Sequence, residues 1–228
     1  MTDATPAATV VLVRDGGDGL ETLMLRRNAK LAFAGGMWVF PGGRIDPEDI
    51  DPDHPDDVEL AARRAAVRET HEEAGLAVEP SGLVHLSQWQ PPAAAARRFD
   101  TWFFVGRPEA AHDDVTIDGG EIHEHQWVSP RHLLDRHKAG EVELMPPTWI
   151  TLGTISEHDR VDVLLDAVRR APVARHRTIM AKSPDGPTLL WAGDAAYETL
   201  ELDAPGGRNR LVLAESGWRR ELWDLPAT

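Results

Sequence analysis

Arg68-Glu69-Thr70-His71-Glu72-Glu73-Ala74-Gly75-Leu76 is the stretch whose reading decides the fold. It continues residues 60–67, a run of strong helix formers with neither Pro nor Gly, and it stops at Gly75, a residue suited to closing a helix. The pattern predicts a helix over residues 57–74. At about 100° per residue, Glu69, Glu72 and Glu73 fall within an arc of roughly 100°, with Leu60, Val67 and Ala74 on the opposite side. The expectation is therefore three carboxylates on one face while the other face looks inward.

Such crowding is unfavourable without help. Glu69 and Glu73 form a like-charge i,i+4 pair that costs about 0.2–0.5 kcal/mol on an isolated helix, and Glu72 adds to it. Arg68 reaches Glu72 at i+4 and offsets part of the repulsion. A hard divalent cation would offset more, because clustered carboxylate oxygens suit Mg²⁺, Mn²⁺ or Ca²⁺. Taken alone, Glu-x-x-Glu-Glu reads more naturally as a solvated acidic face. Its surroundings reverse that weighting.

Upstream stands Trp38-Val39-Phe40-Pro41-Gly42-Gly43-Arg44-Ile45-Asp46, an apolar strand running into a Gly-Gly turn. Gly-Gly followed by an Arg-Glu-x-x-Glu-Glu-x-Gly-apolar helix resembles the Nudix hydrolases. The family box reads Gly-x5-Glu-x7-Arg-Glu-apolar-x-Glu-Glu-x-Gly-apolar. Its second half matches from Arg68 to Leu76, with Thr70 at the apolar position. The first half departs: the loop after Gly43 is too long, Leu60 stands where the early Glu belongs, and Glu59 is one position off.

The resemblance implies an α/β fold, an α/β/α sandwich with a mixed sheet. It also implies hydrolysis of a nucleoside diphosphate linked to another moiety, with Mg²⁺ or Mn²⁺ as cofactor. It casts Glu69, Glu72 and Glu73 as metal ligands and Arg68 as the residue that orients them. Gly42, Gly43 and Gly75 would let backbone turn or approach. A Glu before a Trp-Val pair serves in the family as an extra metal ligand or general base; Glu121 is the first candidate and Glu124 the second.

A chain of 228 residues with 42% hydrophobic and 27% charged residues fits one large soluble domain, or one domain with an appendage. No apolar run approaches membrane-spanning length, and the polar residues 1–9 predict no secretory leader, so a cytoplasmic location is expected by default. The absence of Cys excludes disulfides, zinc-thiolate sites and thiol nucleophiles. A net charge of −14 argues against a nucleic-acid backbone as partner. A small anionic diphosphate remains compatible where local Arg residues and a bound cation supply positive charge.

Along the chain, residues 7–14 and 20–27 read as two strands joined by a turn. Arg26 and Arg27 close the second, either as solvated charges or facing substrate phosphate. Residues 46–57 carry three Pro among many Asp and predict an exposed acidic insertion. Strands are expected over 83–89 and 97–105, separated by a Pro-Ala loop. The Arg97-Arg98-Phe99-Asp100-Thr101 entry resembles the long-insert Nudix branch that includes coenzyme A diphosphatases. Arg98 could grip phosphate bidentately or pair with Asp100.

A second acidic loop, 113–120, precedes a strand over 121–128, on which His123 and His125 read as ordinary surface or core histidines. Ser129-Pro130 opens a helix to Lys138 with Ser as N-cap, and helices follow over 148–155 and 157–169. Beyond Arg175 the strands 176–182, 188–191 and 208–214, followed by the Trp-bearing stretch 217–225, predict a small β-rich extension. The expected division is residues 1–170 as the hydrolase domain and 171–228 as that extension. It would cover substrate, extend the main sheet or form a homodimer contact, and its exposed aromatic edge suits the last of these.

Within the functional class, coenzyme A or a derivative is the favoured substrate, with ADP-ribose and NADH as alternatives. A non-catalytic Nudix domain that binds a nucleotide as a regulator is the competing class.

Overall fold

The computed structural model describes residues 4–109 and 114–225. Met1 to Asp3 of the polar opening and Asp113 of the second acidic loop lie outside them. Two compact units divide the chain. One comprises residues 5–88 and 101–174. The other combines residues 89–100 with those from 175 onward.

The larger unit grows from a hairpin. Strand β1 (Thr5–Gly16) turns through Gly17 and Asp18 into β2 (Gly19–Arg27), with Val13 opposite Thr22 and Gly16 opposite Gly19. Side chains alternate along β1. Ala8, Val10 and Leu12 join one core with the helix alanines, while Val11 and Val13 are equally buried on the other face. A strand buried on both faces belongs in the middle of a sheet covered on both sides. Around it come β3 (Trp38–Val39), β4 (Gly42–Arg44), β5 (Val84–Gln90), β6 (Phe99–Gly106) and β7 (Ile122–Val128), in the order β3-β2-β1-β6-β5. β4 pairs with β1 and β7 with β2 off that path, and the whole is an α/β fold with a mixed sheet.

Helix α1 (Val58–Ala74) starts where Asp57 accepts the Leu60 N–H at 2.9 Å. It ends at Gly75, which takes a left-handed φ of 67°. The predicted span holds, but the predicted orientation holds only at Ala74, which is fully buried. Ala62, Ala65, Ala66, Thr70 and Glu73 are buried, whereas Leu60 and Val67 are only half-buried. Alanines let α1 lie close to β1 and β4, so the inward face is the one that carries Glu69 and Glu73. The carboxylates do not point away from the core; they border it.

Other expectations are adjusted in detail. The Gly-Gly turn is the short strand β4, with Thr9 opposite Gly42 and Ala8 opposite Gly43. The acidic insertion contains a 3-10 helix at Pro47–Asp49, and Asp49 is buried in an otherwise largely exposed segment. Helix α2 (Pro130–Lys138) begins after Ser129 as predicted, but the Ser side chain makes no capping bond. Helix α3 spans Pro146–Ile155. Helix α4 (Val161–Arg170) starts later than residue 157 because Asp15, at the end of β1, accepts the Val161 N–H at 3.0 Å and so meets one open donor of its first turn.

In the smaller unit the expected strand 176–182 is two, β8 (Ala174–Arg177) and β9 (Ile179–Ser183). Thr178 separates them because its N–H donates to Gln90 O at 2.9 Å and its hydroxyl accepts the Trp191 indole N–H at 3.0 Å. Strands β9, β10 (Gly186–Leu190), β11 (Arg208–Ala214) and β12 (Gly217–Trp223) form an antiparallel meander. Trp191 packs edge-on to Trp89 and His176, whose rings stack at 3.8 Å. Burial holds His176 down to about 4, hence neutral. Beneath the turn between β10 and β11, Asp194 and Arg210 form a buried bidentate pair at 2.6 and 2.7 Å.

Candidate active site

The last turns of α1 and the glycines of β4 meet face to face. Gly42 N–H donates to Glu73 Oε2 at 2.9 Å, and a Cβ on Gly43 would run into the Glu69 carboxylate. The glycine pair therefore provides both a donor and the room for the acids to lie against a strand. Exposure falls sharply across the three side chains: 55% for Glu72, 16% for Glu69 and 8% for Glu73.

Burial dominates their electrostatics. It pushes the Glu73 carboxyl up to about 8, helped by the charges of Glu69 and Glu121 and opposed by the Gly42 N–H and Arg27. It also raises Glu69, against the hydrogen bond from Arg68. Two acids with destabilised charge side by side are a site that gains from a cation.

Two arginines flank them. Arg68 Nη1 donates to Glu69 Oε1 at 3.0 Å and Glu72 Oε2 at 3.2 Å. Its Nε and Nη2 donate to the two oxygens of Asp49 at 3.1 and 2.9 Å, and Nη2 also to Arg44 O at 3.1 Å. These contacts use all five guanidinium N–H groups. The Asp49 bond, first among them, raises the Arg68 pKa well above its ordinary range. Arg27 stands on the other side, its Nη2 donating to Glu121 at 2.9 Å and its Nη1 at 4.0 Å from Glu73.

The β2–β7 register decides how the two strand candidates are used. Arg26 lies opposite Glu124, and a bulge between Arg26 and Arg27 then shifts the pairing to Ile122. Arg26 binds Glu124 at 3.2 Å, both half-exposed, while Arg27 reaches Glu121. Asp118 accepts the N–H groups of Gly120, Glu121 and Ile122, and Asn28 donates its backbone N–H to Glu121 O at 2.7 Å. Although burial works against it, those three donors hold the Asp118 carboxyl below its usual range.

The fold thus brings together Glu69, Glu72, Glu73, Arg68, Gly42, Gly43, Arg27 and, through Arg27, Glu121. Glu124 and Arg26 pair with each other along the strands. Arg98 belongs to the other unit, in the segment between β5 and β6. Asp49, Asp118 and Asn28 take part without having been singled out in the sequence. The i,i+4 spacing of Arg64 and Arg68 was the one signal that α1 seeks acids beyond itself. Among the described residues no three His, Asp or Glu side chains already form a cation-holding group, and Arg68 now bridges Glu69 and Glu72. The donor set is nonetheless that of a hard-cation site: carboxylate oxygens, with Glu73 buried and Glu69 half-buried.

Comparison with known proteins bears on the family and the fold. The chain is 26% identical over 172 residues to putative nudix hydrolase 7 of Caenorhabditis elegans, a match covering 59% of this chain and 55% of that one. It therefore spans just over half the length of that relative. The crystal structure of a NUDIX hydrolase from Alicyclobacillus acidocaldarius superimposes with a TM-score of 0.67 at 24% identity, covering 75% of this chain and all of that one, which is a likeness of fold. The family model of the NUDIX domain matches residues 3–147, a span that takes in β1, the glycines of β4, the whole of α1 and the β7 strand. By that match the chain belongs to the Nudix family.

Proposed function

We propose that this protein is a divalent-cation-dependent hydrolase that cleaves the diphosphate of a nucleoside diphosphate linked to another moiety. The carrying observation is the packing of Glu69 and Glu73 against Gly42 and Gly43, with Glu72 alongside at the solvent edge. Withdrawing two neighbouring like charges from water, Glu73 fully and Glu69 in part, is unfavourable unless a cation compensates them.

Nudix hydrolases use divalent cations such as Mg²⁺ or Mn²⁺. Here Glu69, Glu72 and Glu73 would hold the ion, with Glu121 adding a ligand or taking a proton from water. Such an ion supplies Lewis-acid charge to the crowded phosphate oxygens and lowers the pKa of bound water. Gly42 N–H fixes one oxygen of Glu73, so its other oxygen is the one presented to the site. Arg68 orients Glu69 and Glu72 from behind. Arg27 holds Glu121 beside Glu73 and offers positive charge to a phosphate.

Among substrates, coenzyme A or a derivative is proposed first, on the Arg97-Arg98-Phe99-Asp100-Thr101 stretch and the long segment before α1. ADP-ribose and NADH are the competing substrates. A mass-spectrometric screen of nucleoside-diphosphate compounds with Mg²⁺ and Mn²⁺ tests the reading. Metal-dependent release of AMP or a phosphorylated remnant supports it, while tight nucleotide binding without turnover would make the chain a regulatory domain instead.

A further inference from the structure

Residues 45–57 join β4 to α1, and they are clipped to α1 at two points one helical turn apart. Arg64 Nη2 donates to Asp51 Oδ2 at 2.5 Å, and Arg68 grips Asp49 with two bonds. Of the acids in and beside the 3-10 helix, Glu48 is 72% exposed and Asp46 40%, whereas Asp49 is 4% exposed. Taking a carboxylate out of water is unfavourable unless it is paired and hydrogen-bonded. Asp49 is both, since its Oδ2 also accepts the Asp46 N–H at 2.8 Å. The acid in the first turn of α1 is not available for this role, because Glu59 is bound to Arg63 at 2.6 Å and lies 3.6 Å from His85.

A guanidinium is a rigid plane, so holding one edge sets the other. Asp49 and Arg44 O hold the outer edge of Arg68 by hydrogen bonds, with the more exposed Glu48 and Asp46 only at 3.6 and 3.8 Å; Glu69 and Glu72 meet the inner edge. We propose that Asp49 is a positioning residue of the site: by anchoring Arg68 it limits how far the guanidinium leans onto Glu69 and Glu72, leaving their remaining oxygens for a divalent cation. This rests on the reading of the carboxylates as a cation site given above. Without the Asp49 charge, Arg68 keeps only the looser, solvent-screened pull of Glu48 and Asp46 on that edge, so it leans onto Glu69 and Glu72 and competes with the cation for them.

The test compares Asp49→Asn with Asp51→Asn, which loosens the same segment at its other clip without touching Arg68. Asparagine keeps the shape but replaces one acceptor with a donor facing a donor. Mn²⁺ affinity by electron paramagnetic resonance, kcat and KM in Mg²⁺, and melting temperature are read for each. Asp49→Asn is expected to lower Mn²⁺ affinity and kcat by about 10- to 100-fold, the usual effect of losing an outer partner of a metal ligand, with KM for the nucleotide little changed. Asp51→Asn is expected to lower melting temperature while sparing affinity and kcat.

Equal behaviour of the two variants would overturn the proposal and leave Asp49 as a loop anchor. Should Asp49→Asn not fold, Asp49→Glu keeps the charge but displaces the guanidinium; unchanged Mn²⁺ affinity there would overturn it as well. A wild-type chain that neither binds Mn²⁺ nor turns over any nucleoside diphosphate overturns the reading of the site and this inference together. A wild type that does both, beside an indifferent Asp49→Asn, overturns the inference alone.

Discussion

Glu73 is ionised with difficulty, and the consequence is a pH dependence of known sign. Its folded pKa, pushed up to about 8 chiefly by burial, lies above the 4.5 of an ordinary glutamate. Between those values the folded chain holds a proton that the unfolded chain releases, so stability falls as pH rises through this window. With metal chelated, melts at pH 5, 6.5 and 8 should show this loss, amounting to at most a few kcal/mol. Glu73→Gln keeps an acceptor for the Gly42 N–H and should flatten the slope; a slope that survives the change belongs to another group. Glu72 is the converse case, because its half-exposed side chain has little to do with folding. Glu72→Gln should shift stability by no more than about 0.5 kcal/mol. Its loss of several kcal/mol of transition-state stabilisation should lower turnover by about 100-fold or more. Retained turnover in a substrate assay would remove Glu72 from the metal set. Asp49 shows the limit of reading at this scale: nothing local separates it from the other acids of residues 46–57, and only the approach of Arg68 in three dimensions does so.

At the level of elements, β4 and α1 act as one device. Gly42 has φ 153°, and a Cβ there would strike the backbone of Ala8 and Thr9 on the paired strand. Gly42→Ala should destabilise by ~1–3 kcal/mol, seen as a lower urea midpoint, and should weaken Mn²⁺ binding because the donor to Glu73 moves. An unchanged midpoint would mean that β4 yields freely. The existence and approximate ends of α1 were legible in the sequence because helix propensity and Gly75 are local signals. Its rotation was not. Ala61, Ala62, Ala65 and Ala66 offer little contrast with their neighbours in hydrophobicity, and what selects them as the inward face is their smallness against β1 and β4. The split at Thr178 was equally hidden, since it depends on a bond to Gln90, far away in sequence. The β7 candidates were legible as a pair, but the bulge at His123 of β7 that distinguishes Glu121 from Glu124 was not.

For the molecule as a whole, the acidic balance of −14 makes a specific cation effect separable from a diffuse one. Mg²⁺ or Mn²⁺ at about 100 times its dissociation constant should add ~2.7 kcal/mol to stability, raising the melting temperature by several degrees. Thermal scans of wild type and Glu72→Gln over a Mg²⁺ titration check this; an equal rise in both would assign the effect to the acidic surface at large. Among the described residues no helix is long and apolar enough to cross a membrane. The smaller unit is discontinuous in sequence: it takes in Trp89–Asp100, from the end of β5 to the start of β6, and Trp89 meets the rings of His176 and Trp191. During synthesis that segment must therefore wait for the rings of His176 and Trp191 until the C-terminal strands emerge from the ribosome. A stop codon after residue 174 would consequently strip the Trp89 indole of both those rings rather than leave a clean shortened domain.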